Sequence, residues 1–240
     1  MTERTRPFLT AQWRNLIVFT YAVDPTRLID RVPTGTTLDS WRGKTLVSLL
    51  GFQFQDTKVL GAPIPFHQDF EEVNLRFYVR RVVGDEIRLG VVFLRELVPR
   101  PVVGGMARLL YREPYLVVPM RSEVEVGPPP RVAYEWNLGG RWCSLAGAGD
   151  GEGLEPAPGS LDEFLTQRAW GYNGEPGKET LEYRVDHPRW RLWRPIDVRI
   201  DCDPTPLCGA ELARQLITPI STLIADGSAV TIHWRNQITM

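Results

Sequence analysis

Residues 71 to 81 read Glu-Glu-Val-Asn-Leu-Arg-Phe-Tyr-Val-Arg-Arg, and this alternation leaves the chain few options. A period of two belongs to a β-strand. It sets Val73, Leu75, Phe77 and Val79 on one face and Glu72, Asn74, Arg76, Tyr78 and Arg80 on the other. The first face is core. The second is a row of carboxylate, amide, guanidinium and phenol, which can line one wall of a pocket or face water on the outside of a sheet. Both readings of that polar row stand on the sequence alone.

The flanking segments supply partners for this strand. Val83-Gly-Asp-Glu86 is a turn, and Ile87 to Glu96 reads as the second arm of a hairpin. Asn15 to Val23 is continuously apolar and rich in β-branched and aromatic residues, the pattern of a strand buried on both faces. Asp24-Pro25 caps a short helix through about Asp30. Thr45 to Gln55 is a further strand, and Asp56 to Phe70, with Gly61, Pro63 and Pro65, reads as a loop. Val102, Val103, Met106, Leu109 and Leu110 recur at helical spacing between Pro99 and Tyr111, where Gly104-Gly105 allows close packing. Strands are expected at 115–126, 131–136 and 141–146, followed by a flexible loop from Gly147 to Gly159. A helix then opens on the capping box Ser160-Leu-Asp-Glu163 and runs to about Trp170. Further strands are expected at 179–187 and 193–201, a helix within Thr205 to Leu223, and a closing strand from Ala229 to Ile238. Many strands with three or four helices give an α+β fold on a curved or closed, mainly antiparallel sheet, read as one domain over residues 1–240.

Composition narrows the chemistry. With 28 basic against 29 acidic residues, the formal charge of -1 gives no reason to expect nucleic acid or an anionic membrane as a partner. Lys44, Lys58 and Lys178 are the only lysines, so a buried amine nucleophile has three candidates. Cys143, Cys202 and Cys208 are an odd set without C-x-x-C spacing, which argues against a disulfide framework or a zinc knuckle. The start of the chain lacks a signal-peptide core, and no apolar run is long enough to span a bilayer. The expectation is a reduced, cytoplasmic, soluble protein.

Glu72 is the best-placed carboxylate for acid–base work. Inside a barrel it would be desolvated, with its pKa drawn between burial and Arg76 on the same face. A structural Glu72 to Arg76 pair fits the same pattern. Arg112-Glu113-Pro114-Tyr115 falls at a helix-to-strand junction, where side chains can project into the open end of a sheet; a turn sealed by an ion pair is the plainer reading. Arg14, in Trp13-Arg14-Asn15, is either a pocket cation or a solvent-facing one. His67 lies among carboxylates in a loop, but a lone histidine does not make a metal site, and no metal or cofactor is expected. His187 and His233 fall on expected strands without neighbouring ligands. There is no G-x-S-x-G elbow and no motif-supported cysteine and histidine pair. Trp190 and Trp193, between Arg189, Arg191 and Arg194, read as tryptophans packed beneath arginine stems rather than as a base-stacking surface.

Taken together, several segments resemble the DUF2071 (YqjF-like) family of uncharacterised bacterial proteins. They are Trp13-Arg14-Asn15-Leu16, Val23-Asp24-Pro25, Val32-Pro33 with Gly35, Leu38-Asp39, Gly43-Lys44, Val73 to Val79, Gly90-Val91-Val92-Phe93, Tyr111 to Tyr115, Ser160 to Tyr172 and His187-Pro188-Arg189-Trp190. The resemblance implies an acetoacetate decarboxylase-like fold, a cone-shaped antiparallel β-barrel around a pocket with short helices outside. The polar face of the 71–81 strand would then point into the barrel. In acetoacetate decarboxylases a lysine shortly after a Gly-Arg-Glu segment forms a Schiff base with the keto acid. The comparable stretch here, Tyr111 to Met120, has no lysine, and the three lysines fall in expected turns or loops. The resemblance also implies a possible homo-oligomer.

Two functions remain on this reading. One is a pocket that binds a small carboxylate or carbonyl compound without Schiff-base chemistry. Its residues would be Arg76 and Arg112 as anion clamps, Asn74 and Tyr78 as orienting groups and Glu72 as a base, with Glu113, Tyr115 and Arg14 nearby. The other is a non-catalytic structural or protein-interaction module with a filled barrel. A raised pKa at Glu72, or a cavity of roughly 300 Å³ or more between Glu72 and Arg112, separates the two.

Overall fold

Both faces of the alternating strand are buried, because sheet closes around one and a second layer of strands covers the other. The computed structural model describes residues 7–238. Its first strands are β1 (Pro7–Val23), β2 (Thr37–Leu38), β3 (Ser40–Trp41), β4 (Lys44–Val59), β5 (Ala62–Pro63), β6 (Phe70–Val83), β7 (Glu86–Val98) and β8 (Tyr115–Val117). The remainder are β9 (Met120–Glu125), β10 (Arg131–Leu138), β11 (Arg141–Leu154), β12 (Trp170–Asn173), β13 (Thr180–Asp186), β14 (Leu192–Asp201), β15 (Ser221–His233) and β16 (Asn236–Ile238). The helices are α1 (Pro101–Tyr111), α2 (Leu161–Thr166), α3 (Thr205–Cys208) and α4 (Ala210–Ala213).

Strand pairings run β13-β12-β7-β6-β4-β1-β15, and a further β13–β15 pairing returns the path to its start. Two short links complete this ring. Trp170 and Gly171 pair in parallel with Gly90 and Val91, and Val185 and Asp186 pair antiparallel with Ile232 and Thr231. From β15 the sheet continues through β14, β11 and β10 to β9 and folds over the outside. Ile17, Phe19, Leu49, Val73, Leu75 and Phe77 pack there with Val132, Tyr134, Trp136 and Leu145. The opposite faces, with Leu16, Val18, Leu50, Phe52, Phe54 and Tyr78, form the inner core. The apolar run of β1 is thus buried on both sides, as its composition predicts.

Local signals explain most element ends. Asp24 Oδ1 accepts from Thr26 N at 2.9 Å, but the expected short helix is two 3₁₀ turns, Pro25–Arg27 and Ile29–Arg31. Gly104 of α1 does serve close packing: a Cβ there would sit 2.9 Å from Val117 Cγ2, whereas Gly105 faces open space. The 56–70 segment is not wholly loop, since β4 extends to Val59 and pairs with β5. The 115–126 strand is broken between β8 and β9 at Val118-Pro119.

Three expectations fail more substantially. The expected loop from Gly147 to Gly159 is strand as far as Leu154. Two of its glycines lie under Trp193: a Cβ on Gly153 would come within 2.3 Å of that ring, and one on Gly149 within 3.0 Å of Trp193 Cβ. The capped helix stops at Thr166 rather than near Trp170. Arg168 turns inward to pair with Asp39 at 2.5 Å, and Trp170 opens β12. Between Thr205 and Leu223 there are two four-residue helices parted by Gly209 (φ 87°), and the closing strand already starts at Ser221. Among the described residues no helix is long and apolar enough to cross a membrane.

Candidate functional site

Three adjacent strands build the polar end of a cavity inside the ring. Asn74 of β6 lies opposite Glu96 of β7, and Glu96 is in register with Tyr115 of β8. Directly paired residues share a face, so amide, carboxyl and phenol form one row. Glu72 joins them from two positions along β6. Its Oε1 accepts from Asn74 Nδ2 at 2.9 Å and its Oε2 from the Tyr115 hydroxyl at 2.8 Å. Glu113 arrives by another route. Arg112 is the C-cap of α1 in the left-handed conformation (φ 56°, ψ 19°), which turns the chain out of the helix. Glu113 then accepts from the Tyr183 hydroxyl of β13 and from Asn173 Nδ2 of β12, each at 2.8 Å.

These groups border a cavity of about 140 Å³. Its wall is aromatic, with Trp13, Phe52, Phe54 and Phe70, while Val103, Met106 and Tyr111 of α1 also line it. Arg76, Arg168, His187 and Trp190 complete the lining. The volume is below the expected ~300 Å³ of an ordinary ligand pocket, and Arg112 does not line it. It is close to the ~150 Å³ that accommodates a benzene-sized molecule.

Burial governs the electrostatics. Glu72, Glu96 and Glu113 are 2 %, 3 % and 4 % exposed, and a carboxyl withdrawn from water resists ionisation. Burial pushes Glu72 up to about 7, against hydrogen bonds from Asn74 and Tyr115 and the field of Arg76. Burial likewise pushes Glu113 up to about 8, against its bonds from Tyr183 and Asn173. Glu96 is raised well above the ordinary carboxylate range by burial and by repulsion from Glu113 and Glu72. The end of the cavity is therefore a cluster of acids that hold their protons more tightly than ordinary carboxyls, with Glu72 changing protonation state near neutrality. His187, stacked on Trp190 with ring centroids 4.5 Å apart, is held below the usual imidazole range by burial.

Of the residues singled out in the sequence, Glu72, Asn74, Arg76, Glu113 and Tyr115 come together here. Tyr78, Arg112 and Arg14 do not. Tyr78 lies outside the lining, with its hydroxyl 2.7 Å from Ser48 Oγ and its ring against Phe164. The Arg112 side chain is 63 % exposed and faces Glu179 at 3.7 Å, so no ion pair with Glu113 seals the turn. Arg14 bonds to Gln12 Oε1 at 2.7 Å, and it is its neighbour Trp13 that faces the cavity. Arg76 does not pair with Glu72; its Nη2 donates to the Leu165 carbonyl at 3.2 Å. None of Lys44, Lys58 and Lys178 lines the cavity. Among the described residues no group of three ligating side chains can hold a metal ion. Trp190 and Trp193 are buried, while Arg189 and Arg194 pair with Glu163 and Asp162.

Glu96, Tyr183, Trp13 and His187 are cavity residues that sequence reasoning missed. Tyr183 had a readable signal, since Leu181, Tyr183 and Val185 alternate along β13. Glu96 had none, because a register shift between the Leu75–Arg95 and Arg76–Phe93 pairs changes which residues of β7 face inward.

The ring, its outer layer and the enclosed cavity define the acetoacetate decarboxylase-like fold. Crystallographic acetoacetate decarboxylase from Legionella pneumophila superposes with a TM-score of 0.68 at 12 % identity, over 98 % of this chain and 88 % of that one. The enduracididine biosynthesis enzyme MppR complexed with pyruvate gives 0.65 at 12 % identity, over 99 % and 92 %. An acetoacetate decarboxylase-like enzyme from Sphingomonas wittichii RW1 gives 0.63 at 14 %, over 96 % and 92 %. At such identities the likeness is one of fold. The sequence itself matches the DUF2071 family, described as an uncharacterized conserved protein, over residues 10–229, and the chain belongs to that family. No curated protein matches it.

Proposed function

We propose that this protein binds a small carboxylate or carbonyl compound in the cavity and moves a proton on it through Glu72. The observation that carries this reading is the convergence of Glu72, Glu96 and Glu113 on one aromatic-lined cavity that Arg76 also lines. A group with a pKa near 7 populates both protonation states at neutral pH, which suits a general acid–base. Arg76, whose Nε has no hydrogen-bond partner, is the natural contact for a carboxylate or a polarised carbonyl oxygen. The Tyr115 and Asn74 bonds hold the Glu72 carboxyl in one orientation, as proton transfer requires. With the three lysines away from the cavity, the chemistry proceeds without a Schiff base. That MppR is complexed with pyruvate supports the choice of ligand class. The cavity, at about 140 Å³, falls short of the roughly 300 Å³ of an ordinary ligand pocket, so it is the raised pKa of Glu72 and not the volume that favours a binding role over a filled structural barrel.

The test is a thermal-shift screen of wild type and Arg76→Ala against small keto acids, carboxylates and neutral carbonyl compounds, followed by proton NMR of any hit in D₂O. A ligand that raises the melting temperature of the wild type only, and whose α-protons exchange in a Glu72-dependent way, is the expected result. If no compound shifts the wild type while Arg76→Ala itself lowers the melting temperature, the polar strand is architecture.

A further inference from the structure

The acid end of the cavity holds buried acceptor atoms that no neighbouring amide or phenol donor reaches. Asn74 and Glu96 are each 3 % exposed and both line the cavity, yet Asn74 Oδ1 and Glu96 Oε2 have no hydrogen-bond partner. The Asn74 amide orientation is set by its Nδ2, which donates to Glu72 Oε1, so Oδ1 is the atom left over. The neighbouring side-chain donors are already engaged, Tyr115 with Glu72, and Tyr183 and Asn173 with Glu113, which leaves only the acids' own protons to meet these atoms. Among the described residues none of the three carboxyls forms an ion pair, and the only cation whose field acts on them is Arg76, on Glu72. Buried acceptors without donors are costly, and a ligand that brings donors relieves that cost.

Arg76 is the complementary case. Its Nε is buried without a partner, and among the described residues its side chain hydrogen-bonds only to the Leu165 carbonyl. The other guanidinium of the lining, Arg168, has the Asp39 carboxylate at its Nη1, although its Nη2 is also buried without a partner. One part of the cavity therefore lacks donors and another lacks an anion. Because among the described residues no three side chains are placed to hold a metal ion, the cation that suits the acid end is one with N–H groups.

We propose that the ligand of this cavity is a small amino acid, with its ammonium group seated against Asn74 Oδ1, Glu96 and the neighbouring carboxyls of Glu72 and Glu113, and its carboxylate at Arg76. The inference rests on the pocket reading above and narrows its ligand class from carboxylates in general to zwitterions. The ammonium supplies three donors. Seating it ionises acids that otherwise keep their protons, so binding releases protons. The groups that face the seat are Glu72, Glu96, Glu113, Tyr115 and Tyr183, with Tyr111 behind Tyr183 at 5.1 Å and Arg76 and His187 elsewhere on the lining. The tyrosines are all pushed further up by burial and stay neutral.

The experiment is isothermal calorimetry of the full chain with glycine, β-alanine, 4-aminobutanoate and 5-aminopentanoate, beside the matching acids and amines without the second group. It is run at pH 6 and 8, in two buffers of different ionisation heat. At least one amino acid is expected to bind more than tenfold tighter than both of its one-ended counterparts. The buffer dependence should show net proton release, and affinity should rise with pH by up to about tenfold per unit for each proton released. Glu96→Gln, which resembles the protonated acid in shape and charge, should leave the melting temperature unchanged but cut both affinity and proton release. If carboxylates or keto acids bind as well as amino acids and without proton release, the zwitterion inference is wrong and the pocket reading survives. Absence of binding by every compound would overturn both.

Discussion

The Tyr115 hydroxyl donates to Glu72 Oε2 at 2.8 Å although β8 and β6 are not hydrogen-bonded neighbours, β7 lying between them. This bond ties the segment that follows the Arg112 turn to the carboxyl of Glu72 on β6. Removing it isolates its contribution. In Tyr115→Phe, Glu72 keeps only its bond from Asn74, and its titration should move above about 7, since the lost bond is one of the influences holding it down. The loss of one buried hydrogen bond should cost about 1 kcal/mol. A carbon-13 NMR titration of the glutamate carboxyls checks the direction; a Glu72 that titrates lower in the variant would contradict the geometry.

Stability should fall as pH rises through neutrality. Glu72 and Glu113 have folded pKa values of about 7 and about 8, above the ordinary 4.5, and burial raises Glu96 in the same direction. For a raised acid the folded state holds the proton more tightly, so its stabilising share is complete below about pH 4.5 and is lost as pH climbs through the folded value. The melting temperature should therefore decline between about pH 5 and 8. Two opposing effects lie lower: His187, held below 6.5, destabilises as it gains a proton, and Asp186, held below 3.8, loses its partners in acid. Glu113→Gln should flatten the decline above pH 6, which denaturant titrations at several pH values would measure.

The alternation of residues 71 to 79 made the two faces of β6 legible, because a period of two survives in any strand. It could not tell whether the polar face met water or a cavity, since that depends on the ring closing through links as short as Gly90–Trp170 and Val185–Ile232. Glu113 and Tyr115 were legible as a junction, yet Arg112 beside them was misplaced. A residue in the left-handed region breaks the alternation that would set adjacent side chains, and so Arg112 faces outward while Glu113 faces in. Glu96 was hidden by the bulge in β7: strict alternation from Phe93 selects Arg95 for the inner face. The Gly147 to Gly159 stretch shows the reverse error, since Gly149 and Gly153 record the bulk of Trp193 across the sheet rather than flexibility.

Arg112→Gly should leave ligand binding unaltered. The side chain is outside the cavity, and its ion pair with Glu179 is long and exposed, worth little in water. At φ 56° the backbone there suits glycine better than a residue with a Cβ, by roughly 1 kcal/mol. The variant should match or slightly exceed the wild type in urea unfolding. Loss of binding in this variant would return Arg112 to the site.

Gly171→Ala should disturb the site through a single methyl group. Gly171 pairs with Tyr183 across β12 and β13, and the tyrosine ring lies over it: a Cβ on Gly171 would meet Tyr183 Cζ at 2.1 Å and its hydroxyl oxygen at 2.4 Å. The ring must move, and its hydroxyl then leaves Glu113 Oε1. Overpacking of this kind costs about 1–3 kcal/mol, and in a chain of this size each kcal/mol lowers the melting temperature by about 2–4 °C. Tyr183→Leu removes the clashing end of the ring but also the donor to Glu113. The double variant should therefore be less destabilised than the sum of the two single ones, because the methyl no longer meets the phenol. Strict additivity in that cycle would mean that the ring does not rest on Gly171, and that Glu113 is held in the cavity by Asn173 alone.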